Sequence, residues 1–262
     1  MKTISLAGKV ALITGASREI GIGNAIALAL ADAGADIFIT YYHPYDAEMP
    51  WGDSPNAPTT LVGQIREKGR KVDNIEIDLS DPTAPKNLFD KAVEVMGKVD
   101  ILVNNATVSI NAEIHQLTAE LIDRHYAVNV RGMMLLCAEF CQHWDTRSDH
   151  NNTGGRIINM TSGQGIGAMP DNLPYAATKG SVDAFTVSLV NGVMQRGITV
   201  NAVDPGGTDT GWMSDEFKAD LARLSPAGRV GLPDDAARLI CWLASDDSRW
   251  ITGQILRSRG GI

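Results

Sequence analysis

The feature that most narrows the fold of this chain is the regular alternation of short apolar runs with longer segments of helical period. VALIT (10–14), DIFITYY (36–42), KVDNIEIDLS (71–80), DILVNNA (100–106), GRIINMTS (155–162), GITVNAVDPGG (197–207) and GQILRSRGG (253–261) read as strands. Between them NAIALALADAG (24–34) and the segments near 82–96, 118–142, 175–195 and 234–245 read as helices. Strands that are continuously apolar are covered on both faces, which implies a parallel sheet. Right-handed crossovers then give an α/β, doubly wound parallel sheet of about seven strands with helices on both faces. No linker interrupts the rhythm, so a single domain is expected over 1–262. HPYDAEMPWGDSPNAP (43–58), with four prolines and no periodicity, reads as an insertion after the second strand.

TGASREIGIGNAIA (14–27) joins the first strand to the first helix. Glycines at such a turn let backbone N–H groups approach a pyrophosphate, and the helix N-terminus attracts its charge. Five residues separate Gly15 from Gly21, and one more separates Gly21 from Gly23. Neither G-x-G-x-x-G nor the Gly-Lys-Ser/Thr of a P-loop is present.

The formal charge of −8 and the lack of a Lys/Arg run argue against nucleic-acid or anionic-membrane binding. No run approaches the ~18 apolar residues of a membrane span. The three cysteines, Cys137, Cys141 and Cys241, lack framework spacing, which points to a reducing, cytoplasmic setting. The five histidines show no paired spacing, and no metal is implied.

Thr14-Gly15, Gly21-Ile22-Gly23, Asp78-Leu79, Asn104-Asn105-Ala106, Asn129, Ser162, Tyr175-x-x-x-Lys179 and Asn201-x-Val203-x-Pro205-Gly206 follow one another in order. Over nearly its whole length the chain resembles the short-chain dehydrogenase/reductase family, which implies a Rossmann-type fold and an NAD(P)-dependent oxidoreductase. The common form of the family has three residues between its first two loop glycines. The longer loop here resembles the enoyl reductase branch, so Arg18, Glu19 and Ile20 are expected to bulge toward the adenosine side.

The resemblance implies a catalytic set of Asn129, Ser162, Tyr175 and Lys179. Tyr175 and Lys179 share a helix face, and the ammonium and an oxidised nicotinamide ring are both expected to lower the phenol pKa. Tyr175 would exchange a proton with the substrate oxygen, Ser162 would donate to the carbonyl, and Asn129 would support a water-linked proton relay. The implied cofactor contacts are Gly15, Ser17, Arg18, Gly21, Ile22, Gly23, Tyr41, Asp78, Leu79, Asn105, Ala106, Tyr175, Lys179, Pro205, Gly206 and Thr208. Thr107 stands where the family has glycine, and Asp78 reads alternatively as a helix N-cap. The segment at 207–227 reads as a flap over the substrate or as a plain surface helix.

NADP(H) is expected over NAD(H). Thr40-Tyr41-Tyr42 offers no carboxylate to the ribose, and Arg18 adds positive charge, although the insertion could supply Asp46 or Glu48. GRVGLPDDAARLICWLASDDSRWITGQIL resembles the 3-oxoacyl-[acyl-carrier-protein] reductases. An enoyl-reductase-like enzyme and a non-catalytic nucleotide-binding regulator are the alternatives. An acyl carrier protein is possible as a partner but not favoured. Arg196 matches one of the two arginines that the family uses for it, whereas Thr153 falls where the other would be. Trp212, Met213 and Phe217 suit a small apolar carbonyl compound. The resemblance also implies a homotetramer built through the helices near 118–142 and 175–195 and the C-terminal segment.

Overall fold

The computed structural model describes residues 4–146 and 154–261; Thr153 lies outside them. Seven strands form one sheet: β1 (Val10–Ile13), β2 (Asp36–Tyr41), β3 (Val72–Glu76), β4 (Ile101–Asn104), β5 (Gly155–Met160), β6 (Ile198–Asp204) and β7 (Ile255–Arg257). Their spatial order is β3-β2-β1-β4-β5-β6-β7, and every neighbouring pair is parallel. This is the expected Rossmann-type sheet. The order reverses at β1, so the turns after β1 and β4 diverge and leave a crevice at their C-terminal ends.

Strand alternation splits the core in two. Ile37 and Ile39 face one cluster, whereas Phe38 faces the other. The first cluster packs under α1 (Ile22–Asp32), α3 (Ala57–Glu67) and α9 (Pro233–Ala244) through Ile26, Leu30, Leu61, Ile65 and Ile240. The second packs under α4 (Ala84–Met96), α6 (Met133–Thr146) and α7 (Leu173–Val193) through Leu88, Phe89, Leu136, Phe140 and Val182. Fully burying each such side chain contributes about 1.5–3 kcal/mol.

Three segments differ from the sequence reading. The stretch 43–58 is not aperiodic throughout: α2 (His43–Glu48) lies within it, and α3 begins at Ala57. The expected helix at 118–142 is two helices, α5 (Ala119–Tyr126) and α6, joined by a π-helical stretch from Ala127 to Gly132. The segment at 207–227 carries α8 (Asp215–Leu224), capped by Ser214, whose hydroxyl accepts from Phe217 N. Among the described residues, no helix is long and apolar enough to cross a membrane.

Candidate active site

The turns after β1 and β4 are joined by two side chains. The Thr14 hydroxyl accepts from Asn105 N at 3.1 Å and Ala106 N at 3.0 Å, and Asn105 Nδ2 donates to the Thr14 and Gly15 carbonyls at 2.9 Å each. Gly15 adopts φ +73°, and a Cβ there would lie 2.7 Å from Ala106 Cα. A Cβ on Gly23 would lie 2.5 Å from the Gly15 carbonyl oxygen, so α1 packs onto the turn only because glycine stands there. Gly21 and Ile22 begin α1, which has neither a side-chain cap nor an acidic residue in its first turn. Its positive end is therefore left for an anion, as a dinucleotide pyrophosphate requires. Ser17 lies half-buried in the same loop.

Ser162 follows β5, and α7 carries Tyr175 and Lys179. The Ser162 hydroxyl faces the Tyr175 phenol and favours its ionised form. Lys179 Nζ lies 5.3 Å from the Tyr175 ring centroid and donates to the Met160 carbonyl at 2.8 Å. Burial pushes Tyr175 up to about 12; Asp204 and Tyr45 add to the rise, and the Ser162 hydroxyl opposes it. The expected lowering invokes an oxidised nicotinamide as well as the ammonium; in the protein alone the phenol lies high. Desolvation of the phenolate dominates, and the Lys179 ammonium is directed at a backbone carbonyl. Burial pulls Lys179 down to about 8 against the pull of Asp183.

Asn129 sits in the π-helical stretch, a distortion often found at functional sites. Its amide exchanges hydrogen bonds with both backbone groups of Val108, at 2.7 and 2.8 Å, and donates to Thr178 Oγ1 at 3.0 Å. Thr178 in turn donates to the Tyr175 carbonyl at 2.7 Å. The four residues of the expected catalytic set are thus brought together, and Thr178 is a link that the sequence reading missed.

At the candidate adenosine end, Asp78 accepts from Ser80 N at 2.8 Å, and its charge helps raise the Tyr42 phenol. It does not cap α4, whose N-cap is Thr83. The Tyr41 ring pairs instead with His43, centroid to centroid at 4.9 Å, so Tyr42 is the aromatic residue aimed at Asp78. The side chain of Leu79 is buried in the core, leaving only its backbone for a ligand.

Arg18 differs from the expectation of a free phosphate binder. Its guanidinium donates to the Thr210 carbonyl at 3.0 Å and hydroxyl at 3.3 Å, lies 3.8 Å from Asp46, and stacks 4.5 Å from the Trp51 ring. The long glycine loop therefore ties the insertion to the segment at 207–227. Ile20 adds to this, since a Cβ on Gly211 would overlap its side chain at 2.6 Å. The insertion also sends Tyr45 into the cleft, where its hydroxyl accepts from Ser109 N at 2.9 Å. Nothing local in the sequence signals these contacts.

The nicotinamide-loop candidates follow β6. Thr208 Oγ1 donates to the Pro205 carbonyl at 3.0 Å, and Gly206 takes φ +68°. Beyond them Met213 is buried, whereas Trp212 and Phe217 are exposed, with ring centroids 5.5 Å apart.

Comparison with known proteins agrees with this geometry. A family model described as Enoyl-(Acyl carrier protein) reductase matches residues 15–262. The uncharacterized oxidoreductase YjdA of Bacillus subtilis is 45% identical over 97% of this chain and 96% of its own length. A short-chain dehydrogenase/reductase of known structure from Serratia marcescens is 33% identical, with TM-score 0.85 over 98% of both chains. The landomycin C-6 ketoreductase LanV, solved with bound NADP and rabelomycin, is 33% identical, with TM-score 0.83 over 100% of this chain and 98% of its own. The chain belongs to the short-chain dehydrogenase/reductase family of oxidoreductases, which act on carbonyl and alcohol groups.

Proposed function

We propose that this chain is an NADP(H)-dependent ketoreductase of free, apolar carbonyl compounds. The observation that carries the reading is a half-buried Tyr175 set between the Ser162 hydroxyl and the Lys179 ammonium at the C-terminal edge of the sheet. At neutral pH a phenol near 12 keeps its proton and can give it to a carbonyl oxygen. Ser162 would donate to the same oxygen and orient it. Lys179 holds positive charge beside the phenol, and Asn129 fixes the Val108 backbone and Thr178 behind them. When bound, the nicotinamide supplies hydride to the carbonyl carbon, and together with the Tyr175 proton this gives the alcohol.

The residues that would hold the cofactor are Gly15, Ser17 and Gly21 to Gly23 at the pyrophosphate, Tyr42 and Asp78 at the adenosine end, Asn105 and Ala106 between the two turns, and Lys179 with Pro205 to Thr208 at the nicotinamide end. The choice of NADP(H) rests on the carboxylates near β2, which are engaged with protein groups. Asp46 is buried against Trp51 Nε1 and Arg18, Glu48 pairs with Arg124, and Glu76 accepts from His43 N. None is left free to select the ribose hydroxyls of NAD.

The reading of a free carbonyl substrate rests on Arg196, whose guanidinium is paired with Asp145 at 2.9 Å, and on the acidic charge of −8. Both oppose an acidic carrier protein. The enoyl reading is favoured by the loop spacing, but here the extra residues serve the Arg18 clasp. We also propose a homotetramer. Tyr126, Met134 and Leu135 on α5 and α6, Val187 on α7, and Trp250 and Ile255 near β7 leave apolar surface exposed for it. The test of function is NADPH oxidation across ketones, β-ketoesters and enoyl thioesters. Turnover of ketones is expected, and turnover of enoyl thioesters alone contradicts the reading.

A further inference from the structure

Asp204 closes β6 and is buried, its side chain 2% exposed. One carboxylate oxygen accepts from Gly206 N at 2.9 Å, which shapes the Pro205-Gly206 turn. The other accepts from Arg259 Nη1 at 2.9 Å. Arg259 belongs to the C-terminal segment, and its path is unusual. Its stem runs across Gly206, where a Cβ would lie 2.9 Å from Arg259 Cγ and 3.2 Å from its Cα. Its guanidinium rests on Gly163, where a Cβ would collide with Nη1 and lie 3.2 Å from Cζ. Gly163 is the residue after Ser162. One arginine thus touches the loop that carries Ser162 and the loop that carries the nicotinamide-site candidates, and its charge is matched by the carboxylate that shapes the second.

We infer that Arg259 is a positioning residue that braces the two loops through Asp204, setting the nicotinamide end of the site against the Ser162–Tyr175 pair. The inference rests on the dinucleotide-dependent reading above. Geometry carries it: two glycines lack side chains where Arg259 passes, and a buried carboxylate has its oxygens divided between the turn and the arginine. Electrostatics agrees. The groups that shift Tyr175 are Ser162 after β5, Tyr45 on α2 and Asp204 on β6, and Lys179 on its own helix lies 5.3 Å from the ring centroid. Asp183, one turn beyond Lys179, feels both Lys179 and Asp204. Removing the Arg259 charge leaves Asp204 unscreened against the phenol, so the phenolate becomes harder to form.

The test compares binding of NADPH with that of 2′-phospho-ADP-ribose, which lacks the nicotinamide. Arg259→Met is expected to weaken NADPH about tenfold or more, about 1.4 kcal/mol, and to leave the fragment within about twofold. In alcohol oxidation, the alkaline midpoint of kcat/KM is expected to rise by ~0.5–1 pH unit. Arg259→Lys should restore the midpoint but not the full NADPH affinity, because its ammonium lacks the guanidinium fork. A buried unpaired Asp204 threatens folding, so the double variant Asp204→Asn/Arg259→Met is measured beside it. It should keep the turn through its amide oxygen, recover part of the NADPH affinity and bring the midpoint to or below that of wild type. Equal loss of both ligands, or no loss of NADPH affinity in a folded Arg259→Met protein, overturns the brace. Failure of wild type to bind NADPH is a different result: it overturns the functional reading and takes the brace with it.

Discussion

Asn129 Nδ2 donates to Thr178 Oγ1 at 3.0 Å, which ties the π-helical stretch between α5 and α6 to the helix that presents Tyr175 and Lys179. The same amide satisfies both backbone groups of Val108 beyond β4. Asn129→Ala leaves buried backbone groups without partners, at a cost of about 1–3 kcal/mol. A lower thermal midpoint is expected, together with a fall in kcat of at least about tenfold. Unchanged kcat in a destabilised protein would reduce Asn129 to a structural role.

Arg18 joins the insertion to the segment at 207–227 through Asp46, Trp51 and Thr210. Arg18→Ala leaves Asp46, 5% exposed at its side chain, without its ion-pair partner. Amide exchange should accelerate at 208–212 and 46–51, with about 1–3 kcal/mol lost in stability. Because the guanidinium is committed to protein groups, the preference for NADPH over NADH should change by less than about threefold, where tenfold is 1.4 kcal/mol. Loss of that preference, with exchange unchanged, would make Arg18 a phosphate binder instead.

Lys179 gives a pH signature in the cofactor-free protein. Its folded pKa of about 8 lies below the ordinary 10.5, so between these values the unfolded chain binds more protons than the native one. By linkage, stability contributed at this site rises with pH across that window, with a ceiling of ~3 kcal/mol. Below pH 8 both states are charged and the burial penalty stands in full. Tyr175 acts in the opposite sense above pH 10, its ordinary value, because its folded pKa is raised to about 12. Lys179→Met should therefore stabilise the protein most at pH 7, and its advantage over wild type should shrink by pH 10. A difference constant with pH would place the ammonium in solvent.

Carrier selectivity offers another check. Arg196 spends its charge on Asp145. The kcat/KM for a β-ketoacyl carrier-protein substrate should therefore not exceed that for its short thioester mimic. A tenfold gain from the carrier, removed in Arg196→Glu, would contradict the free-carbonyl reading and favour a carrier-protein substrate.

What the sequence made legible was local. Continuous apolar strands and the order of the motifs gave the sheet and placed Ser162, Tyr175 and Lys179 at its C-terminal edge. α3 was missed because Pro58 and two β-branched threonines precede its buried Leu61, Val62 and Ile65, and Gly63 weakens its helical signal. The π-helical stretch was missed because apolar periodicity runs through it. The contacts from Arg18 to Thr210 and from Arg259 to Asp204 span 192 and 55 residues, so no window of sequence holds both partners. The closeness of Tyr175 to Ser162 and Lys179 was legible, but its pKa direction depended on desolvation, which spacing to Lys179 does not report.

The most direct test of the account is Tyr175→Phe, assayed for ketone reduction and for NADPH binding in the same preparation. Losing the positioned proton donor should lower kcat by at least ~10²-fold, with NADPH affinity within about twofold of wild type. Turnover near the wild-type rate in a folded, NADPH-binding Tyr175→Phe protein would contradict the mechanism.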